Sequence, residues 1–186
     1  MRYLLVLLSV TGILIMAGCS GILPLGKTPV QLGQELINKF VEALKKPDEF
    51  PDPDSSPTEF VNFALDFVYV PVDDRNDSDV PDGVGYALGF IAFSFPFSAT
   101  VTQATVLAAT EHSVKFPQLL SNPPNFVDKV YTLTIQCTTE DGTKTSVTVP
   151  MITIQGQDSG YFYTIFIKDT GPATAVWIYP QPFFPS

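Results

Sequence analysis

Three sets of side chains in this sequence could do chemistry: one thiol, one run of oxygen ligands and one imidazole. Cys19 follows the small pair Ala17-Gly18, so its thiol stands on a backbone slim enough to enter a processing enzyme. Asp73, Asp74, Asn76, Asp77, Asp79 and Asp82 crowd into a stretch ending at Gly83, the oxygen-rich composition that hard cations such as calcium prefer. The stretch departs from the helical calcium loop. Counted from Asp74, the twelfth position is Gly85 where a bidentate Glu is needed, and the sixth is Asp79 rather than Gly. A solvated acidic loop and a calcium site are therefore both open for these residues. His112 is the only histidine, which excludes multi-histidine metal sites and leaves one imidazole base. Glu111 beside it faces the other way if the segment is a strand. Asp66 could act as an acid or base only if it faced an aromatic pocket that raised its pKa by desolvation, and its place beside Phe67 favours the outward face. The sequence contains no nucleophile elbow, HExxH, CxxC pair or P-loop, so the common hydrolase, zinc and nucleotide signatures are absent from it.

The thiol has the most informative surroundings. Residues 1–18 carry one cation at Arg2, then an apolar run from Leu4 to Met16 broken only by Ser9, Thr11 and Gly12, which reads as a secretory signal peptide. Met16-Ala17-Gly18-Cys19 resembles the lipobox of bacterial lipoproteins, with Met16 where leucine is usual. The resemblance implies cleavage between Gly18 and Cys19, a diacylglyceryl thioether on Cys19 and acylation of its new amino group. An uncleaved signal anchor is disfavoured because the apolar run is short of the roughly 20 residues a spanning helix needs. Two or three acyl chains satisfy the two-signal requirement for stable anchoring. The implied address is the cell envelope, membrane-anchored and outside the cytoplasm. In a cell with two membranes, Ser20 resembles the signal for sorting to the outer one.

Charge and cysteine use agree with that address. Net charge is −9, which repels phosphate backbones and argues against a nucleic-acid partner. Anionic headgroups are repelled as well, so membrane attachment must come from the acyl chains. With Cys19 lipidated only Cys137 remains, and no internal disulfide can form. Cys137 alternates with Leu133 and Ile135, the pattern of a buried, inert thiol on a strand.

The elements that must position these groups follow from periodicity. Residues 19–27 form a lipidated tether, spanning at most roughly 30 Å at about 3.3 Å per residue. Thr28-Pro29-Val30-Gln31 reads as a capping box, and Leu32, Leu36, Ile37, Phe40, Val41 and Leu44 keep helical spacing up to Pro47. Ser56-Pro57-Thr58-Glu59 repeats the capping pattern and predicts a second helix, with Phe60, Phe63, Ala64 and Phe67 on one face and Pro71 as its latest end. Asp73–Gly83 reads as an acidic, turn-rich loop.

The stretch Val84–Thr110 has no charged residue. A second membrane segment is one reading, but Pro96 and several hydroxyl residues interrupt the run. Two buried strands, near 86–95 and 100–110, are the preferred reading. Residues 129–154 predict a hairpin turning at Glu140-Asp141-Gly142. A three-residue loop with Gly142 in the left-handed region pairs Ile135 with Val147, Leu133 with Val149 and Tyr131 with Met151, giving one apolar face. Tyr161–Lys168 and residues 173–179 complete a meander.

The resulting expectation is a single α+β domain over residues 28–180, with two N-terminal amphipathic helices packed on a curved, mostly antiparallel sheet and an extended tail at 181–186. In element order it is similar to the cone-shaped nuclear transport factor two superfamily, whose members include isomerases, dehydratases and binding modules. The aromatic set Phe60, Phe63, Phe90, Phe93, Phe95, Tyr161, Tyr163 and Trp177 could line a ligand cavity, although core packing is its ordinary use. The preferred function is a lipid-anchored envelope module, more binding protein than enzyme, whose partner is another envelope protein or a small apolar ligand. A cone-fold enzyme and a calcium-stabilised surface module are the alternatives.

Overall fold

The computed structural model describes residues 26–95, 101–118, 120, 122–169 and 174–181. The described residues open with helix α1 (Pro29–Leu44), begun by the expected capping box: Gln31 N donates to Thr28 Oγ1 at 3.3 Å, and Thr28 N donates to Gln31 Oε1 at 2.8 Å. Leu32, Leu36, Ile37, Phe40 and Val41 are buried on one face, while Glu35, Asn38, Lys39 and Glu42 stand in solvent on the other. Helix α2 (Pro57–Ala64) buries Phe60, Val61 and Ala64. Its N-cap Ser56 makes no side-chain cap hydrogen bond, so the second capping pattern supplies a proline at the helix start but no box. The helix ends at Ala64, which places Asp66 in the following turn rather than on the helix.

The expected strand at 86–95 is instead part of a third helix, α3 (Val80–Ser94). Asp82 and Gly83, expected in the acidic loop, belong to its first turn. The helix is set on its sheet by Gly83. A Cβ built there would lie 2.8 Å from Val176 Cγ1 and 3.3 Å from Ile165 Cγ2, so only hydrogen lets the helix come this close. Val80, Val84, Ala87 and Ile91 complete the buried stripe.

The strands form two sheets rather than one meander. In the first, β2 (Val101–His112), β3 (Val127–Thr139), β4 (Lys144–Ile154) and β5 (Gly160–Tyr161) lie in that order, all antiparallel. The β3–β4 register is the expected one: Ile135 faces Val147, Leu133 faces Val149 and Tyr131 faces Met151. Gly142 takes φ +81° in the turn. The chain then leaves this sheet, and β6 (Tyr163–Asp169) pairs antiparallel with β7 (Thr174–Tyr179) and parallel with the two-residue β1 (Val68–Tyr69).

Two apolar clusters hold these layers together. The larger gathers the buried faces of α1, α2 and α3 with Leu133, Ile135, Cys137, Val149, Met151, Phe162 and Ile165. Phe40 is at its centre, with ring centroids 5.5 Å from Phe67, 5.4 Å from Phe95 and 5.2 Å from Phe162. The smaller lies on the opposite faces of the strands, where Val127, Val130, Ile152, Ile154, Phe166 and Tyr179 meet Val114, Phe116 and Leu120 of the β2–β3 connection. Among the described residues no helix is long and apolar enough to cross a membrane.

Two glycines of α3 separate packing from propensity. Gly83→Ala should lower stability by about 1–3 kcal/mol through overpacking against the stiff Val176 and Ile165 side chains. Gly89→Ala, whose Cβ would meet nothing within 4 Å, should raise it by up to about 1 kcal/mol through helix propensity. Urea unfolding of both variants measures the contrast, and equal effects would refute this packing of α3.

Candidate functional site

A groove of about 560 Å³ opens where the smaller core meets the outer face of the four-stranded sheet, within the range of about 300–1,000 Å³ typical of ligand clefts. It is built by strand alternation. Val130 and Thr132 on β3 share one face, and Pro150 on β4 stands opposite Thr132. His112 ends β2 opposite Val130, and its Nε2 lies 2.9 Å from Thr132 Oγ1. Tyr179, at the end of β7, supplies the far wall with Pro180 and Gln181. Its hydroxyl accepts a hydrogen bond from Lys115 N at 3.0 Å, fastening the β2–β3 connection to the strand. The floor is thus apolar and the rim carries His112, Ser113, Lys115, Thr132 and Gln181.

The electrostatics favour an uncharged interior. Burial pushes the Tyr179 phenol above its ordinary pKa, partly offset by the hydrogen bond from Lys115 N. On the opposite face of β3, turned toward the helices, burial likewise raises Tyr131, and the nearby Glu111 carboxylate adds to the shift. Glu111 faces away from His112 and pairs with Lys129 at 3.0 Å, as its place next to the histidine on a strand predicts. The site offers apolar contact and neutral hydrogen-bonding groups, with His112 and Lys115 at its margin.

The other sequence candidates fall elsewhere. Gly18 and Cys19 lie outside the described residues. The acidic run is divided among a 3-10 turn (Val72–Asp74), the bends that follow and the start of α3, so its carboxylates do not converge. Among the described residues no three His, Cys, Asp or Glu side chains form a metal-holding group. Asp74 Oδ2 instead accepts from Ile167 N at 3.1 Å, on β6 beyond the short reach of β1, and Asp77 Oδ1 accepts from Asp79 N at 3.0 Å. Asn76 and Asp77 line a separate cleft of about 510 Å³ together with the cation Arg75. Asp66 is solvent-exposed and pairs with Lys39 at 3.2 Å. Cys137 is fully buried, and burial raises its thiol pKa.

Of the groove residues, sequence reasoning singled out only His112. Tyr179 and Lys115 escaped it because they are 64 positions apart and meet only through the fold. Comparison with family models, with curated proteins and with solved structures gave no match to this chain.

Asp74 gives the test of the acidic run. Asp74→Ala should cost about 1 kcal/mol by leaving the Ile167 N–H without its carboxylate. Thermal melts of the wild-type protein should be the same in excess calcium and in chelator. A chelator-dependent fall in Tm would instead make these carboxylates a calcium site.

Proposed function

We propose that this protein is a lipid-anchored binding module of the cell envelope, held outside the cytoplasm by acyl chains on Cys19 and presenting the groove of His112 and Tyr179 to a small apolar ligand or an envelope partner. The observation that carries the address is Met16-Ala17-Gly18-Cys19 at the end of an apolar leader. What supports binding is the groove, with an apolar floor and a rim of hydrogen-bonding groups. In a cell with two membranes, Ser20 directs the module to the outer one. A cone-like curvature of the sheets around α1 and α2, as in the nuclear transport factor two superfamily, belongs to the same reading and is supported by the single large core that the helices share with both sheets.

Binding is favoured over catalysis because the aromatic side chains that could enclose a reacting group are packed on one another. Phe63 stacks edge-on with Phe50 and Phe67, and Phe40 with Phe67 and Phe162. Asp66, the carboxylate such an enzyme would use, is 65% exposed.

The address is tested in a lipoprotein-processing host by intact mass and membrane fractionation. Wild type should carry the diacylglyceryl mass and sediment with membranes, whereas Cys19→Ala should be unmodified; an equally unmodified pair would overturn the anchor. The groove is tested separately with a fluorescent fatty acid. Thr132→Trp fills the groove from its outer side and should weaken binding of the probe at least tenfold. Unchanged affinity would place the ligand site elsewhere.

A further inference from the structure

Helix α3 has an outward face unlike that of α1. On α1 the exposed positions after Val30 are charged or amide residues, Gln31, Glu35, Asn38, Lys39 and Glu42. On α3, past Asp82 in its first turn, they are Tyr86, 67% exposed, and Phe93, 92% exposed, with Ala92 also in solvent and Gly89 between the two aromatics. Positions 86, 89 and 93 are three and four apart, so they form one stripe along the helix. No charged residue occurs from Val84 to Ser94. With Val84, Ala87 and Ile91 buried on the inner side, the helix from Val84 onward is uncharged all round although one side faces outward.

We propose that this stripe rests on the lipid surface to which Cys19 is anchored, with Phe93 seated among the acyl chains and the Tyr86 hydroxyl at headgroup level. The inference depends on the lipid-anchor reading. Gly26, the first described position, lies seven positions after Cys19, which limits their separation to about 23 Å at about 3.3 Å per residue. Held this close, the domain meets the bilayer at a high effective concentration, and a weak insertion suffices. At 15 residues and about 1.5 Å per residue, α3 falls short of the roughly 30 Å hydrocarbon core, so it lies on the bilayer and does not cross it. The contact needs no anionic lipid, because the stripe carries no cation to attract one. Tyrosine and phenylalanine suit the interface, where an apolar ring inserts and a phenol stays hydrated.

The test uses the full chain, lipidated in a processing host and reconstituted into phosphatidylcholine vesicles. A nitroxide is placed by Phe93→Cys, by Tyr86→Cys, or by Glu42→Cys on the charged face of α1; Cys137 is fully buried and should not compete for the label. Collision with oxygen, which concentrates in lipid, and with a water-soluble nickel chelate reads the surroundings of each label. Labels at 93 and 86 should be at least fivefold less open to nickel than the label at 42, and more open to oxygen. If the protein floats with the vesicles and all three labels are equally open to nickel, the anchor holds and the α3 contact is wrong. If it does not float, the anchor reading falls and this inference falls with it. Dipolar broadening between labels at 93 would identify a second copy as the occupant, which also overturns the lipid contact.

Discussion

The register of β3 on β4 is the constraint on which the other contacts depend, because side chains alternate along a strand and a slip of one residue would exchange the two faces. The turn sets it. Gly142 adopts the left-handed conformation, Gly142 N donates to Thr139 O at 2.9 Å, and Asp141 accepts from the Thr139 hydroxyl and from Thr143 N. These hydrogen bonds, led by that of Thr139, hold the Asp141 carboxyl below its ordinary pKa. With this register, Tyr131, Leu133, Ile135 and Cys137 meet the helices while Val130 and Ile152 meet the smaller core. The groove inherits the same alternation, since Val130 and Thr132 form its floor and wall only on the outer face.

This hairpin was legible in the sequence because its local and long-range preferences agree. Only a three-residue loop puts the apolar residues of both strands on one face, and only glycine comfortably takes the conformation such a loop requires. The capping box of α1 was legible for the same reason. Helix α3 was not, because the run from Val84 to Phe95 is apolar without a clear period and its length also fits a buried strand. A finer signal was present. Val84 and Ile91 are the only β-branched residues from 84 to 95, whereas Val101, Thr102, Thr105, Val106 and Thr110 crowd the real strand. The α+β class survives the exchange of one strand for a helix, but the acidic run does not keep its expected shape, because α3 begins inside it.

What the sequence hid most thoroughly are contacts between distant segments. The edge strand β2 would expose unpaired backbone groups, which invite association with other chains. Gln34 on α1 covers two of them with one amide: its Nε2 donates to Ala104 O at 2.9 Å and its Oε1 accepts from Val106 N at 2.8 Å. A glutamine side chain thus stands where a neighbouring strand would. Asp74 does the same for Ile167 N on β6. Both residues read locally as exposed polar positions, and only the folded arrangement shows that each completes a sheet. The division into two sheets is hidden likewise, because it turns on a parallel pairing of two residues, Val68 and Tyr69, with a strand that begins 94 positions after Tyr69.

The distribution of aromatic residues decides where this domain can interact. A domain with no internal disulfide among its described residues must draw its stability from packing, and Phe40, Phe67, Phe95 and Phe162 interlock at the centre of the larger core. Side chains used in this way serve packing at the centre, and the clefts described above lie at the margins. Two of the marginal surfaces differ in kind. The groove between His112 and Tyr179 is concave and ringed by hydrogen-bonding groups, which suits a discrete ligand that must be oriented. The stripe of Tyr86 and Phe93 is exposed and uncharged, with the Tyr86 hydroxyl as the polar group of its two aromatic side chains. Such a surface gains little from any one partner's shape and most from a solvent that accepts apolar rings at any angle, which is the property of a bilayer.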